Sequence, residues 1–260
     1  MKKLRVIATI EARMNSSRLH GKVLKNLGGY PLLDVLIRRL KKSKTLDDIV
    51  VATTVNKKDD KIISLLKKKK VKYYRGSENN VNFRLIKAAK KHDADLIVQL
   101  TADNPFIDHE IIDYMVKFFL KNANKYNYVS NCGLGDYSKS HVPLGFNARL
   151  FLFKHLNANY KYCKKKDLRE HPSLYFYREG KKKYKLKNLE MPKNLKTNLK
   201  IRLTIDTMKD LNLARLVFNK LYKKHNIYFG LKDVINLFKK NKSYLEINKN
   251  VVQKNVSLKS

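Results

Sequence analysis

RVIATIEARMNSSRLHGKVL, residues 5–24, turns from apolar to polar at Glu11. Val6–Ile10 is a short, mostly apolar run that fits a buried strand. The loop after it gathers Arg13, Ser16, Ser17, Arg18 and Lys22 within ten residues. Guanidinium forks take phosphate oxygens two at a time and an ammonium acts as a movable point charge. A buried strand that opens into this loop therefore suits a polyphosphate. A solvated basic turn has the same composition, and this stretch alone does not separate the two.

Outward from that strand, strand patterns at Leu4–Ile10, Ile49–Thr54, Val71–Tyr74, Leu96–Leu100 and Tyr128–Ser130 alternate with helix patterns. These lie at Pro31–Lys42, Asp59–Lys69, Val81–His92 and Asp108–Asn122. The first helix carries Leu32, Leu33, Val35, Leu36, Ile37 and Leu40 on or near one face, and the LGGYP run at 27–31 is a turn that puts Pro at its first position. Alternation with short connections predicts an α/β protein, a mostly parallel sheet with helices on both faces. There is no GxGxxG fingerprint. Between about 131 and 195 the pattern breaks up among Gly133, Gly135, Pro143, Gly145, Pro172, Gly180 and Pro192. This predicts an inserted excursion of antiparallel character that covers a substrate or meets a second subunit. The alternation resumes with a strand at Lys200–Ile205 and helices at Lys209–His225 and Leu231–Lys239. Residues 1–240 are thus expected to form a single domain, with 241–260 a polar, loosely packed tail.

A chain of 260 residues with 43% hydrophobic content can bury a full core. No apolar stretch approaches the ~20 residues that span a bilayer, so membrane insertion is not expected. MKKLRVIATI begins like a signal peptide, but Glu11 and Arg13 end the apolar run and no small-residue cleavage site follows. It reads as the first strand of a cytoplasmic protein. Cys132 and Cys163 have neither disulfide nor metal spacing and are expected to be reduced. The net charge of +36 is of the kind a nucleic-acid binder carries. Here, however, the lysine runs at 67–70, 164–166 and 181–183 are scattered over helix ends and loops, and richness in Lys, Asn, Ile and Tyr with no Trp reads as compositional bias. Nucleic-acid binding is not the expected main function, although a positive field draws in anionic substrates.

Two carboxylates stand at strand ends. Asp103 follows Leu96–Leu100, and Asp206 follows Lys200–Ile205. In an open parallel sheet the loops at the carboxyl ends of the strands form the ligand crevice, so the pair converges despite the distance in sequence. Mg²⁺ takes hard oxygen ligands, usually one or two carboxylates plus substrate phosphates. Opposite Arg13, Arg18 and Lys22, Asp103 and Asp206 complete a site for a metal-bound nucleoside triphosphate. Each aspartate also reads as a helix N-cap. That reading suits Asp206, with Thr207 and a helical run after it, better than Asp103, whose turn already contains Pro105 and Asp108.

These residues resemble a known family. ARMNSSRLHGKVLKNLGGYPLLDVLIRRL (12–40), IVVATTVNKKDDKI (49–62), YYRGSENNV (73–81), LTADNPFIDHEIID (100–113), REHPSLYFY (169–177) and RLTIDTMKDL (202–211) resemble, in order, the bacterial cytidylyltransferases. The likeness is greatest to the spore-coat-polysaccharide branch, with CMP-Kdo and acylneuraminate synthetases more distant. It runs over about residues 4–220, and the first loop and the TADNP segment are its specific parts. The resemblance implies a nucleotide-diphospho-sugar transferase (Rossmann-like) fold, CTP as donor, Mg²⁺ as cofactor and a homodimer. The implied acceptor is an acidic sugar, Kdo- or nonulosonate-like, or a related surface-glycan precursor.

By the same resemblance, Arg13, Arg18 and Lys22 hold the triphosphate and Asp103 and Asp206 the metal. Ala12 and Met14 lie along the base and ribose, with Ser16 and Ser17 also at the nucleotide and Ser77 near the base or sugar. Asn147, Arg149, Arg169 and His171 face the acceptor. An acceptor hydroxyl attacks the α-phosphorus in line and pyrophosphate leaves, a reaction that depends on positioning and charge neutralisation. The chain departs from the family at Glu11 (usually Gln), Asn15 (Gly), His20 (Pro) and Asn79–Asn80 (two Asp). It also reads GFNARLF at 145–151 where the branch has GLDVEVF. Two carboxylates are lost there and Arg149 is gained, which favours a more anionic acceptor, unless Arg149 is only a surface strand residue. Three other classes compete. A glycosyltransferase of the same fold would show an Asp-x-Asp at a strand end, which is missing here. A basic nucleic-acid binder would consume no nucleotide. A decayed enzyme kept for binding would not keep the whole cation and carboxylate set of the nucleotide side.

Overall fold

The computed structural model describes residues 3–253. In chain order the strands and α-helices are β1 (Val6–Glu11), β2 (Asn26–Leu27), β3 (Tyr30–Pro31), α1 (Leu32–Leu40), β4 (Asp48–Thr54), α2 (Asp60–Lys68), β5 (Lys72–Gly76), α3 (Val81–Lys91), β6 (Leu96–Thr101), α4 (His109–Lys121), β7 (Tyr128–Ser130), β8 (Arg149–Leu152), α5 (Phe153–Asn159), α6 (Lys166–Glu170), α7 (Leu174–Tyr177), β9 (Leu186–Asn188), α8 (Met208–His225) and α9 (Leu231–Lys240). β2 and β3 form a small separate antiparallel pair, and the rest build one sheet in the order β5-β4-β1-β6-β8-β7-β9. β1, β4, β5 and β6 run parallel, as the alternating pattern predicts. β8 runs antiparallel to both β6 and β7.

The apolar run that opens the chain becomes a middle strand because both its faces are covered. Val6, Ala8 and Ile10 pack into the core beneath α1, α4, α8 and α9, while Ile7 joins the opposite core under α3, α5 and α7. Register then levels the strand ends: Glu11 lies beside Ala52 of β4 and Thr101 of β6. The loops leaving β1 and β6 therefore start from one ledge, which is the ligand-binding end of such a sheet.

Two expectations are corrected. Lys200–Ile205 is not a sheet strand. Its backbone docks on loops instead, with one bridge to Leu144 and an Ile205 N–H donated to the Asp103 carbonyl at 2.8 Å. Its apolar side chains satisfy the core either way, which is why periodicity reads it as a strand. The 131–195 excursion has the expected antiparallel character through β8, and adds three short α-helices and β9, which runs parallel to β7. The tail, read as loose from 241 onward, is packed as far as it is described. Asn248 is buried and donates to Asp210 Oδ1 at 2.8 Å. Polar composition hid this: among the lysines and asparagines, Tyr244, Leu245 and Ile247 pack against the core and Asn248 adds hydrogen bonds.

Candidate active site

The loop after β1 is held at its root by a buried carboxylate. Asp59 Oδ1 accepts the Met14 N–H at 2.8 Å, and Asp59 Oδ2 accepts the hydroxyls of Thr53 and Thr54 at 2.9 and 2.6 Å. At the far end Gly21, with φ of 63°, donates its N–H to the Met14 carbonyl at 2.9 Å and turns the chain into Lys22. A side chain at that φ would be strained. Pinned at both ends, the loop bends around a cavity of about 380 Å³. Ala12, Arg13, Ser16, Ser17, Arg18 and Lys22 line one side of it and Thr101, Asp103 and Asp206 the other.

Asp103 and Asp206, far apart in sequence, meet here because the Ile205-to-Asp103 hydrogen bond docks one segment on the other. Lys22 Nζ stands between them, 2.8 Å from Asp103 Oδ2 and 2.9 Å from Asp206 Oδ1. Asp206 Oδ2 also meets Arg18 at 2.9 Å and Arg202 at 2.8 Å, and Arg202 continues to the fully buried Asp210 at 3.0 Å. Three carboxylates thus face three cations in a self-compensated network. Burial alone would raise the Asp206 pKa, but Lys22, then Arg18 and Arg202, hold it below the ordinary carboxylate value. Burial likewise opposes the Lys22 charge, and the two carboxylates outweigh it to raise its pKa. Asp103 Oδ1 is steadied by the Thr101 hydroxyl at 2.6 Å, and that hydroxyl in turn accepts Asn104 Nδ2 at 3.0 Å.

A second cavity of about 210 Å³ adjoins the first and shares Glu11, Arg18, Thr101, Asp103, His171 and Asp206 with it. Its own walls come largely from the 131–195 excursion, among them Tyr137, Asn147, Arg149 and Tyr177. Gly145, at φ 112°, lies against the backbone of Leu203–Thr204, where a Cβ would come within 2.7 Å of the Leu203 carbonyl carbon. That close approach brings Asn147 and Arg149 toward Asp206. Arg149 Nη2 donates to the Tyr137 hydroxyl at 3.1 Å, and among the described residues no carboxylate lies within ion-pair distance of it. Burial raises the Glu11 carboxyl, and Gln99 donates to that carboxyl at 2.7 Å. Burial lowers the His171 pKa, which keeps its imidazole neutral at pH 7.

Of the residues marked in the sequence, Ala12, Arg13, Ser16, Ser17, Arg18, Lys22, Asp103 and Asp206 gather at the first cavity, and Asn147, Arg149 and His171 line the second. Three do not reach either. The Met14 side chain is buried beneath Gly21 and lends only its backbone to the loop. Ser77 is exposed at the end of β5, and its carbonyl accepts a hydrogen bond from Arg84. Arg169 lines a separate basic hollow with Arg13, Lys164 and Lys166. Sequence reasoning missed Asp59, Arg84, Gln99, Arg202, Asp210 and Gln253. Arg84, only 2% exposed, borders the first cavity from α3, where it reads as an ordinary helix arginine. Asp59 and Asp210 resemble helix-start acids, a role Asp210 does fill in the capping box with Thr207. Among the described residues no three His, Cys, Asp or Glu side chains cluster as metal ligands. Cys132 and Cys163 are buried and unpaired. No helix among the described residues is long and apolar enough to cross a membrane.

A sequence profile described as cytidylyltransferase matches residues 7–251. An uncharacterized protein of Methanocaldococcus jannaschii is 40% identical over 251 residues, covering 96% of this chain and 97% of its own. The spore coat polysaccharide biosynthesis protein SpsF of Bacillus subtilis is 30% identical over 244 residues, 91% of this chain and 95% of its own. The solved structure of a cytidylyltransferase from Leptospira borgpetersenii superposes with a TM-score of 0.85 at 32% identity, over 97% of this chain and all of that one.

Proposed function

The chain belongs to the cytidylyltransferase family, and from that premise we propose that it transfers CMP from CTP to a hydroxyl of an acidic sugar, releasing pyrophosphate. The acceptor oxygen forms the new bond to the α-phosphorus as the bond from that phosphorus to the β-phosphate breaks. Arg13, Arg18 and Lys22 draw the triphosphate into the first cavity and neutralise the departing pyrophosphate, where preorganised charge in a partly buried site acts most strongly. His171, neutral and on the wall common to both cavities, is the side chain suited to take the acceptor's proton.

Asp103 and Asp206 would hold Mg²⁺. They are an oxygen-only pair, and the ammonium between them shows that the pair accepts a cation. When bound there, the ion would help neutralise the phosphate charge. Turning Lys22 and Arg18 toward phosphate would free Asp103 Oδ2 and Asp206 Oδ1 for it, with Asp206 Oδ2 still held by Arg202.

Arg149 carries the choice of acceptor. A guanidinium that makes no ion pair, its charge felt at the buried Glu11 carboxyl of the same cavity, favours an anionic ligand. A carboxylate-bearing sugar such as a Kdo- or nonulosonate-like acid supplies that charge and a hydroxyl together, as does a related surface-glycan precursor. A homodimer formed through the 131–195 excursion in the cytoplasm is part of the same proposal, and light scattering of the purified protein checks the dimer. The activity is tested by pyrophosphate release with Mg²⁺ and each of the four nucleoside triphosphates, against acidic sugars and neutral aldoses. The expected result is release with CTP and a carboxylate-bearing sugar only. Equal turnover with a neutral aldose would sink the acidic-acceptor reading, and no release with CTP and any acceptor would sink the transferase.

A further inference from the structure

The segment after α9 reaches the wall of the second cavity at Gln253 and bonds to Arg18, which borders both cavities. It is anchored at Asn248, 4% exposed, whose Nδ2 donates to Asp210 Oδ1 at 2.8 Å and to the Arg202 carbonyl at 3.1 Å. Four residues on, the Val252 carbonyl accepts Arg18 Nη1 at 3.2 Å, and Gln253 Oε1 accepts a short hydrogen bond from Arg202. Gln253 is also part of the second cavity's wall. Arg18 is therefore held from two sides, by Asp206 through Nη2 and by Val252 through Nη1.

Resting on the transferase reading above, we propose that Asn248–Gln253 is a strap. It keeps Arg18 on the acceptor side until the nucleotide claims that side chain, so that CTP binding loosens the strap and opens the acceptor cavity. In the exchange Arg18 gives up a neutral carbonyl and one Asp206 carboxylate oxygen, and a triphosphate replaces both with charged oxygens that the fork can take two at a time. Once Arg18 turns away, Val252 loses its partner in the loop and Gln253 is held by Arg202 alone. Arg18 borders both cavities, so its movement links the filling of one to access to the other. The strap makes nucleotide-before-acceptor binding a property of the fold.

The test is hydrogen–deuterium exchange of the 248–253 backbone in the full chain, with and without CTP and Mg²⁺, alongside CTP affinity by calorimetry. CTP should raise exchange in this segment about fivefold. Arg18→Ala should show raised exchange without nucleotide and no further response to it. Gln253→Ala, which releases the strap while leaving the loop intact, should tighten CTP binding about threefold. If CTP binds the wild type and exchange at 248–253 is unchanged or slowed, the strap is wrong and the transferase reading stands. If the wild type binds no CTP, both fall.

Discussion

The two sides of the seam at Asp103 and Asp206 are built on opposite electrostatic plans. On the nucleotide side the cations are already matched. Lys22, Arg18 and Arg202 are bound to Asp103, Asp206 and Asp210, and the loop that carries the first two is pinned at Asp59 and Gly21. On the acceptor side Arg149 has only a phenol hydroxyl as hydrogen-bond partner, and Asn147 Nδ2 is buried with no partner among the described residues. A compensated network can rearrange around a highly charged ligand at little cost, because each cation that leaves a carboxylate frees a place for a metal ion. An uncompensated cation costs stability until its ligand arrives and so discriminates by charge. The first plan suits a ligand common to the whole family; the second suits a ligand that distinguishes its members.

Removing a carboxylate from the compensated side tests that contrast with the largest effect. Asp103→Ala should lower turnover with CTP and acceptor by about a thousandfold, in the range seen when a preorganised charge is taken from a transition state. Circular dichroism and melting should show the fold retained, since Asp103 lies on a loop. A loss below tenfold would mean that the carboxylate only balances Lys22. The next effect belongs to the other side. Arg149→Leu should raise the acceptor KM by about ten- to a hundredfold, the worth of a charge-assisted hydrogen bond, and leave the CTP KM within about twofold. Equal changes in both would show that the two sides are not separate.

The same contrast explains what could be read from the chain alone. The gathering of the first cavity was legible because its cations lie within one ten-residue loop and its carboxylates sit at the ends of apolar runs. Both signals are local. Asp59 was invisible as a loop anchor because an aspartate before a helix looks like a cap whether it holds its own helix or a loop 45 residues earlier. Met14 joins the loop through its backbone, with its side chain buried, and a motif position does not say which of the two it uses. The acceptor side depends on long-range docking. Gly145 against Leu203–Thr204, and the docking of Asn248–Gln253, leave no periodicity to read. Arg149 was an exception, visible because it breaks a pattern.

The smallest expected effect separates the two sides without any substrate. In the folded chain the Asp206 pKa lies below its ordinary value of 3.8, so at acidic pH the unfolded chain binds more protons. The stability from this group is present above the ordinary carboxylate value and is lost as pH falls through the folded one. Lys22 has the opposite sign. Its pKa is raised above the ordinary 10.5, so its contribution is full below that value and is lost as pH rises through the folded one. Lys22→Met should therefore flatten both the acid and the alkaline limbs of a plot of urea midpoint against pH, whatever it does to the plateau between them. Arg149 makes no ion pair, and the carboxyl its charge lowers is Glu11, which burial keeps above the ordinary value, so Arg149→Leu should leave the acid limb below the ordinary carboxylate value as steep as in the wild type. If Lys22→Met keeps the wild-type slopes, the charge pairing seen at rest contributes no stability. If Arg149→Leu flattens the limb in that range, the guanidinium pairs in solution with a carboxylate of the Asp103–Asp206 seam, and the two sides are not separate.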